Sequence, residues 1–160
     1  MGTAVARFIL LLLLSLVVGT TFGVWAGYNP ASLSATAYVE QQQNAIRSLN
    51  TLLPAMGAAC ILLAGWLAFR GKGDARTRYF LIGAMVCLIA AALVTRFGNQ
   101  PINAEVMTWN PQSPPAQWAQ LRDAWWHSHV ARMLAGILGL ALALIALLPR
   151  GGMAHGRDPL

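Results

Sequence analysis

The sequence predicts an all-α integral membrane protein: a four-helix bundle of up-down-up-down order with both termini on the cytoplasmic side. Three observations carry this. Hydrophobic residues make up 57% of the 160 and charged residues only 10%, outside the range of a soluble domain. Four apolar stretches, at about 7–28, 51–70, 79–97 and 129–148, each supply the roughly 20 residues that a helix needs to cross about 30 Å of hydrocarbon. Basic residues collect at Arg7, in the 70–78 connection and at Arg150, which four alternating spans place on one side, and the positive-inside rule makes that side cytoplasmic. The net charge of +6 therefore reads as topology rather than as a nucleic-acid-binding surface.

The first span opens with one Arg and the run FILLLLLSLVV, which a signal peptide would share, and Val24-Trp25-Ala26 loosely resembles a cleavage site. The apolar run continues through Gly19 to Trp25 at spanning length, so the reading is a retained anchor. Asn29-Pro30 ends it in a turn. The second helix extends back to about residue 36, capped by Ser34 or Thr36, and enters the membrane with Glu40, Asn44 and Arg47 on one face and Gln43 at its edge. That stripe is either a solvated face, with Glu40 and Arg47 paired or free, or one wall of a pocket. Pro54 would kink the helix and splay the bundle.

The 70–78 connection carries four basic residues and one acid. The third span offers Gly83, Ala84 and Ala90-Ala91-Ala92 as small surfaces for helix approach, and Arg96 near its end snorkels to the interface. Cys60 and Cys87 fall in different spans without the spacing of a metal or redox pair, and read as packing residues. The fourth span ends at Arg150, and residues 151–160, with His155, form a flexible tail. One domain covers residues 1–150, without internal repeats. Both longer connections, 29–50 and 98–117, then lie on the extracytoplasmic side.

Residues 99–132 gather most of the chemistry. At about 100° per residue, Trp118, Arg122, Trp126, His129 and Arg132 fall within about 120° of one helix face. His127 lies roughly 200° from His129, nearer Asp123, so the two histidines cannot serve one metal from a regular helix, and the usual three-ligand set is missing. No metal site is expected; ligation of a metal or haem through His129, with Glu40 or His127, is the weaker alternative.

An ionisable residue at membrane depth is by default a functional candidate. For His129 the competing reading is a histidine hydrogen-bonded between helices. As a base it would accept a proton, with Arg122 and Arg132 stabilising an anion. Trp109, Trp118, Trp125 and Trp126 form an aromatic belt or, where they face inward, the wall of a cleft for a flat apolar ligand. Asn99 and Asn103 leave the third span through a turn stiffened by Pro101 and present two amides to the same end. Glu40 and Asn44 are candidates for the facing wall.

Asn99-x-Pro101-x-Asn103 after the third span, then a Trp, then Arg122, Trp126, His129 and Arg132 opening the fourth, resembles the anthrone-oxygenase-like family of small membrane proteins. Most bacterial members are described only as a domain of unknown function. The resemblance covers essentially the whole chain and implies a bacterial inner-membrane protein oxidising a hydroxylated polycyclic anthrone with O₂ to a quinone, without metal or flavin. It implies His129 as base, Arg122 and Arg132 as anion stabilisers, Asn99 and Asn103 as orienting groups, and Trp126 as the wall of the ring site; Trp118, on the same helix face, is a further candidate for substrate contact.

Two functional readings follow. One is a cofactor-independent oxygenase acting on an apolar aromatic or quinone-like substrate taken from membrane lipid, with its site near the extracytoplasmic face. The other is a non-catalytic membrane protein, a small subunit or assembly partner of a larger complex or a homo-oligomer, in which the polar residues fix the helices and the tryptophans anchor them.

Overall fold

The computed structural model describes residues 2–70 and 74–148; Lys72, Arg150 and the 151–160 tail with His155 lie outside the described residues. Among the described residues six α-helices follow one another: α1 Thr3–Gly27, α2 Ala35–Leu49, α3 Leu52–Arg70, α4 Ala75–Val94, α5 Gln100–Val106 and α6 Trp118–Leu147. There is no strand among the described residues. Four helical stretches among the described residues are long and apolar enough to cross a membrane: Thr3–Ser32, Leu52–Arg70, Ala75–Val106 and Trp118–Leu147.

Local chemistry sets the boundaries. A short 3₁₀ turn, Pro30–Ser32, follows α1, with the Asn29 side chain accepting from the Ala31 N–H. Ser34 caps α2, its hydroxyl accepting from the Ala37 N–H at 3.3 Å. Ser34→Ala is expected to lower stability by about 1 kcal/mol, read as a lower Tm in detergent. Pro54 marks a break rather than a kink within one helix. It cannot donate to the Asn50 carbonyl, and its ring would press on that group. The chain leaves the helix at Asn50–Thr51 and restarts at Leu52, which puts Pro54 in a first turn where no N–H is missed.

The third span also departs from the hydropathy reading, which ends it at Phe97. A π-helical turn, Thr95–Asn99, joins α4 to α5, with the Gln100 N–H reaching back five residues to the Thr95 carbonyl. The wider turn lets Pro101 sit at the start of α5, a position that tolerates it, so the Asn99–Asn103 segment is helical instead of a loop.

α4 packs on α6 and α3, and α1 packs on α3 and α6. One apolar cluster joins Ala6, Leu10, Leu14 and Val18 of α1 to Cys60, Ala64 and Leu67 of α3, Leu81, Ala84 and Leu88 of α4, and Ala143 and Ala146 of α6. These repeat at three- and four-residue intervals, the spacing of one helix face. Gly139 lets α4 approach: a β-carbon there would stand 3.3 Å from Leu88 and 3.4 Å from the Ala84 carbonyl. A second cluster joins Tyr38, Val39 and Ile46 of α2 to Val106 and Trp109, with Trp118 and Leu121 against it. Along α1, α4–α5 and α6 the buried polar residues Thr21, Asn99, Asn103 and His129 fall between the two clusters. A polar layer thus separates two apolar ones.

Candidate functional site

α3 has no buried residue before Cys60, so its first half stands away from the others. A cavity of about 390 Å³ fills the space left there, beneath α2. Its lining is largely aliphatic, from Val17 and Val18, Leu53, Gly57 and Ile61, and Leu88 and Ala91, with polar groups gathered at the α2 end. Gln41, Ala92 and Arg96 also line it and are exposed, so it communicates with the surface. Arg96 lies over the Phe97 ring at 5.8 Å.

His129 lines this cavity and is fully buried. Its Nε2 lies 3.1 Å from the Thr21 carbonyl and its Nδ1 lies 3.0 Å from a terminal nitrogen of Arg132. A carbonyl only accepts and a guanidinium only donates. Nε2 therefore carries the proton and Nδ1 presents a lone pair, which is neutral imidazole. The ring stacks on Trp125, with centroids 5.1 Å apart and planes 10° apart, and on Trp126 at 5.5 Å and 18°. The Arg132 guanidinium lies over Trp125 at 5.8 Å.

Trp125 ties this group to the asparagines. Its Nε1 donates to Asn103 Oδ1 at 2.8 Å, and Asn103 Nδ2 donates to Asn50 Oδ1 at 2.8 Å. Asn99, fully buried in the π turn, donates from Nδ2 to the Trp125 carbonyl at 3.0 Å. The π turn itself fits closely on α6, since a β-carbon on Gly98 would stand 2.6 Å from Ser128 Oγ and 2.9 Å from Ser128 Cβ.

His129, Arg132 and Asn103 thus line one cavity, with Trp126 stacked on His129 and Asn99 behind Trp125. Arg122 and Trp118 lie elsewhere, among groups that do not line the cavity. Arg122 Nε bonds Asp123 at 2.8 Å and its guanidinium covers the Trp118 ring at 4.9 Å. Asp123, one turn before His127, is engaged by Arg122. Trp118 packs on Tyr38 at 5.9 Å; burial pushes the Tyr38 hydroxyl well above its usual range, and the neighbouring Tyr28 adds to this. Glu40 and Asn44 are exposed on the outer face of α2, with Asn44 accepting from Arg47 at 3.2 Å. Among the described residues no group of three His, Cys, Asp or Glu could hold a metal ion, and either nitrogen of His129 would have to give up a hydrogen bond to become a ligand.

Sequence reasoning names Trp125 only among four tryptophans of a belt or cleft wall, although a sharper signal is present: at four residues from His129 it stands only about 40° away on the wheel. It also passed over Gln42 and Tyr28. Gln42 belongs to the stripe Tyr38, Val39, Gln42, Gln43, Ile46, the buried face of α2, where amides interrupt an otherwise apolar repeat.

A family model described as anthrone oxygenase matches residues 43–142, well over half of the chain. The chain belongs to the anthrone oxygenase family. The match takes in the later part of α2, all of α3 to α5 and α6 as far as Leu142, hence every element that supplies His129, Arg132, Asn103 and Trp125. Comparison with curated proteins and with solved structures finds no match.

Proposed function

We propose that this anthrone oxygenase family member is a membrane oxygenase acting on a flat, apolar, oxygenated ring substrate, without metal or flavin, and that the cavity beside His129 and Arg132 is its site. The observation that carries the reading is the fully buried His129 paired with the half-buried Arg132 on that cavity.

With Nε2–H held by Thr21, the Nδ1 lone pair is the group that can take a proton. Arg132 covers it in this structure. A substrate carbonyl entering the cavity gives Arg132 a better acceptor, and one movement of the guanidinium uncovers the base and delivers a cation to the developing oxyanion. Nδ1 takes a proton from the ring CH₂, and the enolate gives an electron to O₂. The radical pair combines to a peroxide anion, which recovers a proton from His129. Loss of the remaining C–H proton with the distal oxygen as hydroxide leaves the ketone, so R₂CH₂ and O₂ become R₂C=O and H₂O. Of the two arginines named from the sequence, Arg132 carries the anion in this scheme.

The topology belongs to the same proposal: an up-down-up-down four-helix bundle in a bacterial inner membrane, both termini cytoplasmic and the cavity near the extracytoplasmic face. Supporting it, Arg7, Asp74 and Arg76 lie beside Ala146–Leu148, so the start of α1, the start of α4 and the end of α6 meet at the basic end. The test is oxygen uptake by purified protein with anthrone, one O₂ consumed per quinone formed. His127, exposed on the far side of α6, is the internal control: His127→Gln should leave the rate unchanged. No uptake by the wild type with any ring substrate would overturn the reading.

That outcome would favour a second reading, a non-catalytic membrane protein or subunit. The Asn99–Trp125–Asn103–Asn50 network favours it, because it ties α6 to the π turn, to α5 and to the end of α2 without needing a ligand.

A further inference from the structure

Two neighbouring glutamines on α2 are used in opposite ways. Gln43 is fully engaged: its Nε2 donates to the Val106 and Trp109 carbonyls, both at 2.9 Å, and its Oε1 accepts from Arg47 at 3.3 Å. It fastens α2 to the end of α5. Gln42, 1% exposed, lines the cavity. Its Oε1 accepts from the Tyr28 hydroxyl at 3.3 Å, while its Nε2 is buried and has no acceptor. Arg132 repeats the pattern, with Nε buried and unpaired while a terminal nitrogen is held by His129.

A buried donor left unpaired is destabilising and calls for an explanation. Among the described residues lining the cavity, the buried unpaired side-chain atoms are Gln42 Nε2 and Arg132 Nε, and both are donors. No lining acceptor is left open in the same way. The polar end of the cavity is therefore complementary to acceptor oxygens, and its aliphatic remainder to rings. With the Tyr28 hydroxyl donating to Oε1, the NH₂ of the Gln42 amide is left for the ligand.

We propose that Gln42 is a substrate-recognition residue of this cavity, donating from Nε2 to a ring-borne carbonyl or phenolic oxygen while Arg132 holds a second one, and that Tyr28 positions the Gln42 amide. The inference rests on the cavity being the substrate site argued above, but on binding alone and not on turnover. It makes the site selective for rings with two acceptor oxygens over the same rings without them.

The experiment measures Kd by quenching of tryptophan fluorescence in nanodiscs, with 9,10-anthraquinone and anthracene as probes of nearly equal shape. Wild type should prefer anthraquinone. Gln42→Leu should reduce that preference roughly tenfold, the effect of one lost hydrogen bond at a buried site, with anthracene affinity unchanged. Gln42→Glu, which replaces the donor by an acceptor, should reduce it further, and Tyr28→Phe should reduce it several-fold by releasing the amide. Gln42→Met, similar in length and volume, gives the same reading should the leucine variant not fold. An anthraquinone preference unchanged in Gln42→Leu or Gln42→Met, or retained in Gln42→Glu, overturns the proposal. Wild type that shows the preference but consumes no oxygen upholds this inference while the oxygenase reading fails.

Discussion

His129→Gln is expected to lower oxygen uptake with anthrone by about 10²–10⁴-fold, the range for losing a positioned general base. Glutamine is the informative choice because its amide can still donate to the Thr21 carbonyl, the bond that holds Nε2 now at 3.1 Å. What it lacks is a nitrogen lone pair where Nδ1 stands. The loss should appear in kcat, with KM little changed, since the ring lies against Trp125 and Trp126 rather than supplying the whole binding wall. Arg132→Met should cost about 10²–10³-fold through the oxyanion, and Arg132→Lys should recover only part, keeping charge without the planar fork. Arg122→Met is the contrast: its partners are Asp123 and Trp118, and its removal should change the rate little. Equal rates for His129→Gln and wild type would remove His129 from the chemistry.

The largest stability effect is expected at Gly98. An alanine there brings Cβ to 2.6 Å from Ser128 Oγ and 2.9 Å from Ser128 Cβ, so α6 or the π turn has to shift. Overpacking of this kind costs about 1–3 kcal/mol, read as a fall in Tm in detergent. Truncating the other side tests the cause: Gly98→Ala should cost clearly less in a Ser128→Gly background, a coupling between contacting residues. Equal costs in both backgrounds would place the strain elsewhere. Because Asn99 follows Gly98 directly and holds the Trp125 carbonyl, the same substitution should also slow turnover.

The spans were legible because the bilayer imposes a length and a composition that few soluble segments share. Boundaries were less so where a proline changed the hydrogen-bond ladder. Pro54 and Pro101 both read as kinks or turns, yet each sits at the start of a helix, after a two-residue break in one case and a π turn in the other. Hydropathy carries no record of which carbonyl a given N–H will find.

The candidate site was legible where one helix carried it. His129, Arg132 and Trp126 share a face by arithmetic alone. Arg122 satisfies the same arithmetic but has Asp123 beside it, and a neighbouring carboxylate decides where a guanidinium points. The α2 residues are harder to read, since its most polar face, Glu40, Asn44 and Arg47, is the exposed one. The buried stripe runs on the other side, and only its packing on Val106 and Trp109 tells Gln42 and Gln43 apart from solvated glutamines.

The turn at Thr95–Asn99 makes the chain's length, as well as its residues, part of the site. Five residues there occupy a loop of backbone that a regular helix would close with four. Remove any one of them and the ladder can wind as plain α-helix, four residues closing the turn that five close now and α5 keeping near its present orientation. Asn103 can then keep the Trp125 indole and Val106 its contact with α2, while the turn itself loses its fit on α6 at Gly98 and Asn99. A single-residue deletion in this turn is absorbed where it falls, whereas one in the regular helix of α5 turns every later position of that helix by about 100°.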